Sequence, residues 1–251
     1  MRLILANLAT LAVLARCACA QAKSRAVPFV GCAADGQQGY VARPRGEQKV
    51  VDSSIPSLEG IAYYKSDEAP GLFAPAGWHC FVWYGSSGST ILVSSAPIDT
   101  APTSYAHVMG PAVELRAEFG GTSGRFGVAR YGARLFPTVL AGFIARVKSE
   151  FIMPDSELDP RQCAHDSIVS LSRTEVEFTT PPRSRGLGTA ESLGPSPDPI
   201  KGIAVLTGDS AEPDLIMLRV RMGATKQQLE AAVLQLNRRC IEAGETCWGP
   251  W

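Results

Sequence analysis

The feature that most constrains the fold lies at Trp78 to Val93. Trp78-His79-Cys80-Phe81-Val82-Trp83-Tyr84 is dense in aromatic and β-forming residues. Gly85-Ser86-Ser87-Gly88-Ser89 interrupts the run, and Thr90-Ile91-Leu92-Val93 follows. Two bulky runs around a small, glycine-containing break predict a β-hairpin. Strand alternation sends Trp78, Cys80, Val82 and Tyr84 to one side and His79, Phe81 and Trp83 to the other, so one set must pack on a core.

The flanking segments add mixed elements. Leu58 to Tyr64 reads as a strand, and Pro70 to Gly77, with two prolines and two glycines, as a turn. Pro111 to Phe119 is compatible with strand or helix. A helix is expected over Gly124 to Leu135, capped by Ser123. Pro137 opens another helix, whose apolar face carries Val139, Leu140, Phe143, Ile144 and Val147. Ser170 to Thr179 alternates as a strand does. Ile203 to Thr207 and Leu215 to Met222 form a second hairpin across Gly208 to Asp214. The last helix starts at a capping box of Thr225 and Gln228 and buries Leu229, Ala232, Val233, Leu236 and Cys240. Lys226, Glu230 and Arg238 are expected to face water, and Gly244 to close the helix.

Strands and helices do not alternate regularly, so an α+β fold is expected. Its sheet is mixed and mainly antiparallel, with two β-hairpins and about three amphipathic helices. The expected organisation is a signal peptide over 1–20, a main α+β domain over 21–180, a Pro/Gly-rich loop or linker over 181–199, and a hairpin plus C-terminal helix over 200–251 packed on the main domain. Residues 21 to 57 read as an extended, weakly structured entry segment anchored by Cys32.

The N-terminus sets the compartment. Met1-Arg2 precedes an apolar run from Leu3 to Leu14, and Ala18-Cys19-Ala20 offers small residues for cleavage after Ala20. The run is too short to span a bilayer. Cys17 and Cys19 raise lipid anchoring as a competitor, but Arg16 and Cys17 fit a lipidation motif badly. The protein is therefore expected in a periplasm or outside the cell, with no transmembrane segment after cleavage.

Five of the seven cysteines then remain: Cys32, Cys80, Cys163, Cys240 and Cys247. In an oxidising compartment they pair where geometry allows. Cys32–Cys80 and Cys240–Cys247 are the expected disulfides, with Cys163 left over. Lys plus Arg equals Asp plus Glu, 24 against 24. Loss of Arg2 and Arg16 leaves the mature chain slightly acidic, which argues against nucleic acid as a partner.

No segment carries a catalytic, metal or cofactor signature. The Gly-Ser-Ser-Gly-Ser turn is not a nucleophile elbow, which places Gly-x-Ser-x-Gly between a strand and a helix. His79-Cys80 and Cys163-Ala164-His165 lack zinc-ligand spacing. Asp155, Glu157 and Asp159 lack the glycine and distal glutamate of a calcium loop. Glu114 and Glu118 share a face in a strand or a helix.

Two surfaces are candidates for ligand binding. Gly120 to Arg134 joins a glycine-rich loop to a helix start, and Gly121, Ser123, Arg125 and Arg130 there suit a phosphate, carboxylate or sulfate. Trp83 and Tyr84 suit a sugar-stacking platform. The function expected is non-catalytic binding of an anionic or glycan envelope component. The alternative is a secreted hydrolase assembled from Ser87, a histidine (His79 or His107) and an acid such as Asp99.

Overall fold

The computed structural model describes residues 24–52, 54–55, 58–100, 108–151, 153–158, 165–189 and 192–244. The signal-peptide region, His107, Asp159, Cys163, Cys247 and the Trp248–Trp251 tail lie outside them.

The fold is α+β, as expected. The strands are β1 (Ser24–Val27), β2 (Phe29–Gly31), β3 (Ala33–Gly36), β4 (Lys49–Asp52), β5 (Ile61–Ser66), β6 (Ala69–Pro75), β7 (His79–Gly85), β8 (Gly88–Ser94) and β9 (Ala112–Glu118). Helices α1 (Arg125–Leu135) and α2 (Ala141–Phe151) follow, then β10 (Ser167–Ser170), β11 (Glu175–Thr180), β12 (Ile200–Gly208), β13 (Pro213–Arg221) and α3 (Gln227–Ala243). An eight-stranded sheet has the order β10-β11-β12-β13-β9-β8-β7-β3. Its pairs are antiparallel except β3 with β7. A three-stranded sheet β2-β5-β6 and a ribbon β1-β4 complete the strands.

Both expected hairpins form. Gly85 pairs with Gly88, so β7 and β8 meet across the two-residue turn Ser86-Ser87. β12 and β13 pair from Lys201–Val220 to Gly208–Pro213. Pro111 to Phe119 resolves as strand. β13 inserts between β12 and β9, so the C-terminal hairpin belongs to the large sheet.

The register sorts the large sheet into two faces. One carries Val82, Ile91, Leu115, Leu218 and Ile203 and packs on β5, β6 and α3 in the main core. The other carries Phe81, Trp83, Thr90, Leu92, Glu114, Arg116, Glu118, Met217 and Arg219. Helices α1 and α2 cover its β11–β13 side, burying Phe178, Ala204, Leu215 and Met217. A smaller cluster of Leu92, Ala112, Leu193 and Ile200 lies beside Trp83.

Several local expectations are corrected. Pro70 to Gly77 is not a turn: most of it is β6, buried along its length. β6 is the last strand of its sheet, where a proline's missing N–H breaks no ladder bond. Asn237 of α3 accepts from the Phe73 N–H at 2.7 Å and donates to the Phe73 carbonyl at 2.8 Å, replacing the missing neighbour. The entry segment is extended but structured, since β1 to β4 all pair. Neither Ser123 nor the Thr225–Gln228 box caps a helix by side chain. A 3-10 turn at Ala224–Lys226 shifts the start of α3 past Thr225, and the Ser123 hydroxyl meets the Ser86 hydroxyl at 3.1 Å. Val139 is exposed, because α2 begins only at Ala141. Glu230 is buried rather than solvated, held by Lys201 at 2.6 Å.

The described parts of the Pro/Gly-rich segment, 181–189 and 192–199, cross the second face and are held by buried polar groups. Arg219 donates to Leu187 O at 2.8 Å, and Glu114 accepts from the Ser192 N–H at 3.2 Å. Asp166 accepts from the Leu187 N–H at 2.9 Å, and Arg221 donates to the carbonyls of Gly110, Gly194 and Val108.

Cys32 and Cys80 form a disulfide, with Cα atoms 5.4 Å apart. Cys240 is also disulfide-bonded.

Candidate functional site

A groove of about 230 Å³ opens at the turn end of β7, β8 and β9. Trp83, Thr90, Arg116 and Glu118 border it, with Ser87 and Gly88 at its rim. All four side chains belong to the same face of the sheet, because Trp83 pairs with Thr90 and Thr90 with Arg116. Their alternation along β7, β8 and β9 is what aligns them.

Charge in the groove is organised around Arg116. Its Nε donates to Glu118 Oε1 at 2.6 Å, its Nη2 lies 2.5 Å from the same oxygen, and its Nη1 donates to Thr90 Oγ1 at 3.3 Å. Glu118 is 3% exposed and Arg116 23%. Helix α1 comes close behind the pair at Gly127, where an added Cβ would lie 2.5 Å from the Glu118 carboxyl carbon. The glycine lets the helix sit against the carboxylate. Trp83 supplies the apolar wall and meets Phe81 edge-on, with ring centroids 5.1 Å apart.

The groove continues an unusual line of charge. On β9, Glu114 shares this face but is sealed in an ion pair with Arg219, both fully buried. Arg219 also lies over the Tyr131 ring, 5.5 Å from its centroid. Four residues of strand put Glu114 and Glu118 about 13 Å apart at the backbone. The carboxylates of glycosidases stand roughly 5 to 9.5 Å apart, so this pair does not form that arrangement.

The sequence-derived candidates separate. Trp83 and Tyr84 both border the groove, but alternation turns the Tyr84 side chain to the opposite face, where its hydroxyl donates to Gly39 O at 2.7 Å. The glycine loop packs against the hairpin turn through the Phe119 N–H to Ser87 O bond, but does not line the groove. It is turned to the protein's own groups. The Gly120 N–H donates to Asp214 Oδ1 at 3.0 Å, and Glu212 lies beside Gly121. Arg125 folds back on the carbonyls of Thr122 and Gly121. Arg130 is exposed on α1. Burial raises the Asp214 pKa, the Gly120 N–H lowers it, and nearby Glu212 raises it further.

The serine arrangement does not assemble from the described residues. His79 and Ser87 lie at opposite ends of β7, about 20 Å apart along the strand. His165 precedes β10, five strands from β7–β8 turn positions on β8, or about 24 Å. Asp99 lies beyond the far end of β8. Of the central pair of the groove, the sequence singles out Glu118 only as sharing a face with Glu114, and Arg116 not at all. The alternation of Glu114, Arg116 and Glu118 was the available signal, once Pro111 to Phe119 was taken as strand.

Comparison with protein-family models, curated proteins and solved structures finds no match to this chain.

Proposed function

We propose that this is an exported, non-catalytic protein that binds an anionic or glycan component of the cell envelope in the Trp83–Arg116–Glu118 groove. The observation carrying the reading is an indole wall facing a hydrogen-bonded Arg–Glu–Thr set on rigid strands. Sugars are held by that combination of an aromatic surface and planar polar groups. Rigid strands present such groups with little ordering cost on binding.

Export is supported by the N-terminal sequence and by the Cys32–Cys80 disulfide, which suits an oxidising compartment. Among the described residues no helix is long and apolar enough to cross a membrane. Intact mass of protein recovered from the native host is expected to start at Gln21.

The binding reading is tested by co-sedimentation of the mature protein with purified peptidoglycan and with chitin. Binding to at least one matrix is expected, with Trp83→Ala removing most of it. Binding that survives Trp83→Ala unchanged removes the groove from the proposal.

A further inference from the structure

We propose that a second groove, between β4 and α3, is the docking slot of the segment that follows α3. A Cys240–Cys247 disulfide is its tether, and the Trp248 indole is the group that fills the slot. This goes beyond the glycan reading and does not depend on it. The groove holds about 200 Å³, and Val51, Ile55, Phe73 and Leu236 line it, with Cys240 beside them. Val50 also lines it and is 64% exposed, so apolar surface continues outwards. The volume is below the roughly 300 Å³ at which small-molecule pockets begin, and suits one aromatic side chain.

A covalent bond already brings a further stretch of chain to this place. Cys240 is disulfide-bonded, while Cys32 and Cys80 hold each other. These three are the described cysteines, so the partner of Cys240 lies outside the described residues. The helix end favours Cys247. α3 stops at Ala243, and Gly244, at φ +56°, leaves the helical path while donating to the carbonyls of Cys240 and Ile241. Gly244 stands about 6 Å along the axis from Cys240, and the three residues up to Cys247 reach about 10 Å. Cys163 is worse placed. It lies three residues before Asp166, which accepts from Thr180, opposite Ile200. The next residue, Lys201, meets Glu230, and Cys240 is about 15 Å further along α3. Cys17 and Cys19 belong to the signal-peptide region. Closing the bond takes two electrons and two protons from the thiols, accepted in an oxidising compartment by a disulfide donor through exchange.

The sequence then supplies the filling group. Trp248 follows Cys247 directly, so a bond to Cys240 delivers an indole to the groove with a very short loop to close. The apolar walls take the ring. Asp52 at the rim, 3.0 Å from Arg239, has carboxylate oxygens that can accept the indole N–H. The seated indole packs β4 against α3 and latches the β1–β4 ribbon to the helix.

The test uses the full mature protein, methyl-labelled at Ile, Leu and Val. Non-reducing peptide mapping is expected to yield a linked Cys240–Cys247 peptide. Nuclear Overhauser contacts are expected between the Trp248 indole, assigned by its loss in Trp248→Phe, and the methyl groups of Val51, Ile55 and Leu236. Trp248→Ala is expected to shift those methyl signals, leave those of Ile91 and Leu115 in place, and speed amide exchange in β4 about tenfold. Cys240 linked to another cysteine overturns the proposal. So does a folded protein whose Trp248 touches none of the three side chains, or whose methyl signals ignore Trp248→Ala. These readouts involve no glycan, so their failure leaves the proposed function standing.

Discussion

Glu114 and Arg219 are fully buried, and each leaves the other compensated. Removing one partner of such a pair is expected to be worse than removing both. Glu114→Leu should lower unfolding free energy by about 3–5 kcal/mol, and the Glu114→Leu/Arg219→Met double variant should recover much of that loss in urea titrations. Asp214 offers a pH test. Its raised pKa means that the folded chain keeps a proton which the unfolded chain has released. Its contribution to stability therefore falls as pH rises through that window and recovers on acidification. Asp214→Asn keeps an acceptor for the Gly120 N–H. Its urea midpoint should lie above wild type at neutral pH, and the gap should close towards pH 4, about the usual carboxylate value. At this scale the sequence was legible in part. Glu114 and Glu118 were seen to share a face, but the Arg219 partner is 105 positions from Glu114 and no local spacing indicates it. Arg125 was read as an anion ligand because spacing shows where an arginine lies, and not which carbonyls it turns to.

Periodicity identified the elements that use their own neighbours. The β7–β8 hairpin follows from its runs and turn, and α3 from its apolar stripe. β6 was hidden because Pro70, Gly71 and Pro75 read as a turn, and what makes them a strand comes from elsewhere. β5 pairs along one side and Asn237 of α3 bonds the other. Asn237 also donates to Val233 O at 2.8 Å, which fixes its amide on the helix. Asn237→Leu would leave the buried Phe73 N–H and carbonyl without these bonds. The expected loss is about 2–4 kcal/mol in chemical denaturation, with faster amide exchange at Phe73. The 181–199 segment was equally opaque. Its prolines and glycines indicate irregular backbone, whereas its packing depends on Arg219, Glu114 and Arg221 from the strands β13 and β9 and on Asp166 just before β10.

Across the whole molecule, Cys32 sits where the chain passes from β2 in the small sheet to β3 in the large one. Its bond to Cys80 closes a span of 48 positions, which corresponds to about 4 kcal/mol of restricted unfolded-chain entropy. Cys32→Ala/Cys80→Ala should lower stability by up to this amount, read as a drop in urea midpoint that reductant no longer deepens through this bond. The pairing of these two cysteines was readable in advance. The order of the large sheet was not, because strand neighbours far apart in sequence leave no periodic trace. That order governs how the chain must assemble. β9 is bordered by β8 on one side and by β13 on the other, with Glu118 opposite Leu215. As the polypeptide emerges N-terminus first, β9 has a bare ladder until β13, the last of the described strands, arrives. Such long-range pairing is slow, and an open strand with an apolar face of Val113, Leu115 and Ala117 invites association with other chains meanwhile. The molecule thus passes through a vulnerable stage in its biogenesis, and a chain interrupted before Ile200 should accumulate as aggregate.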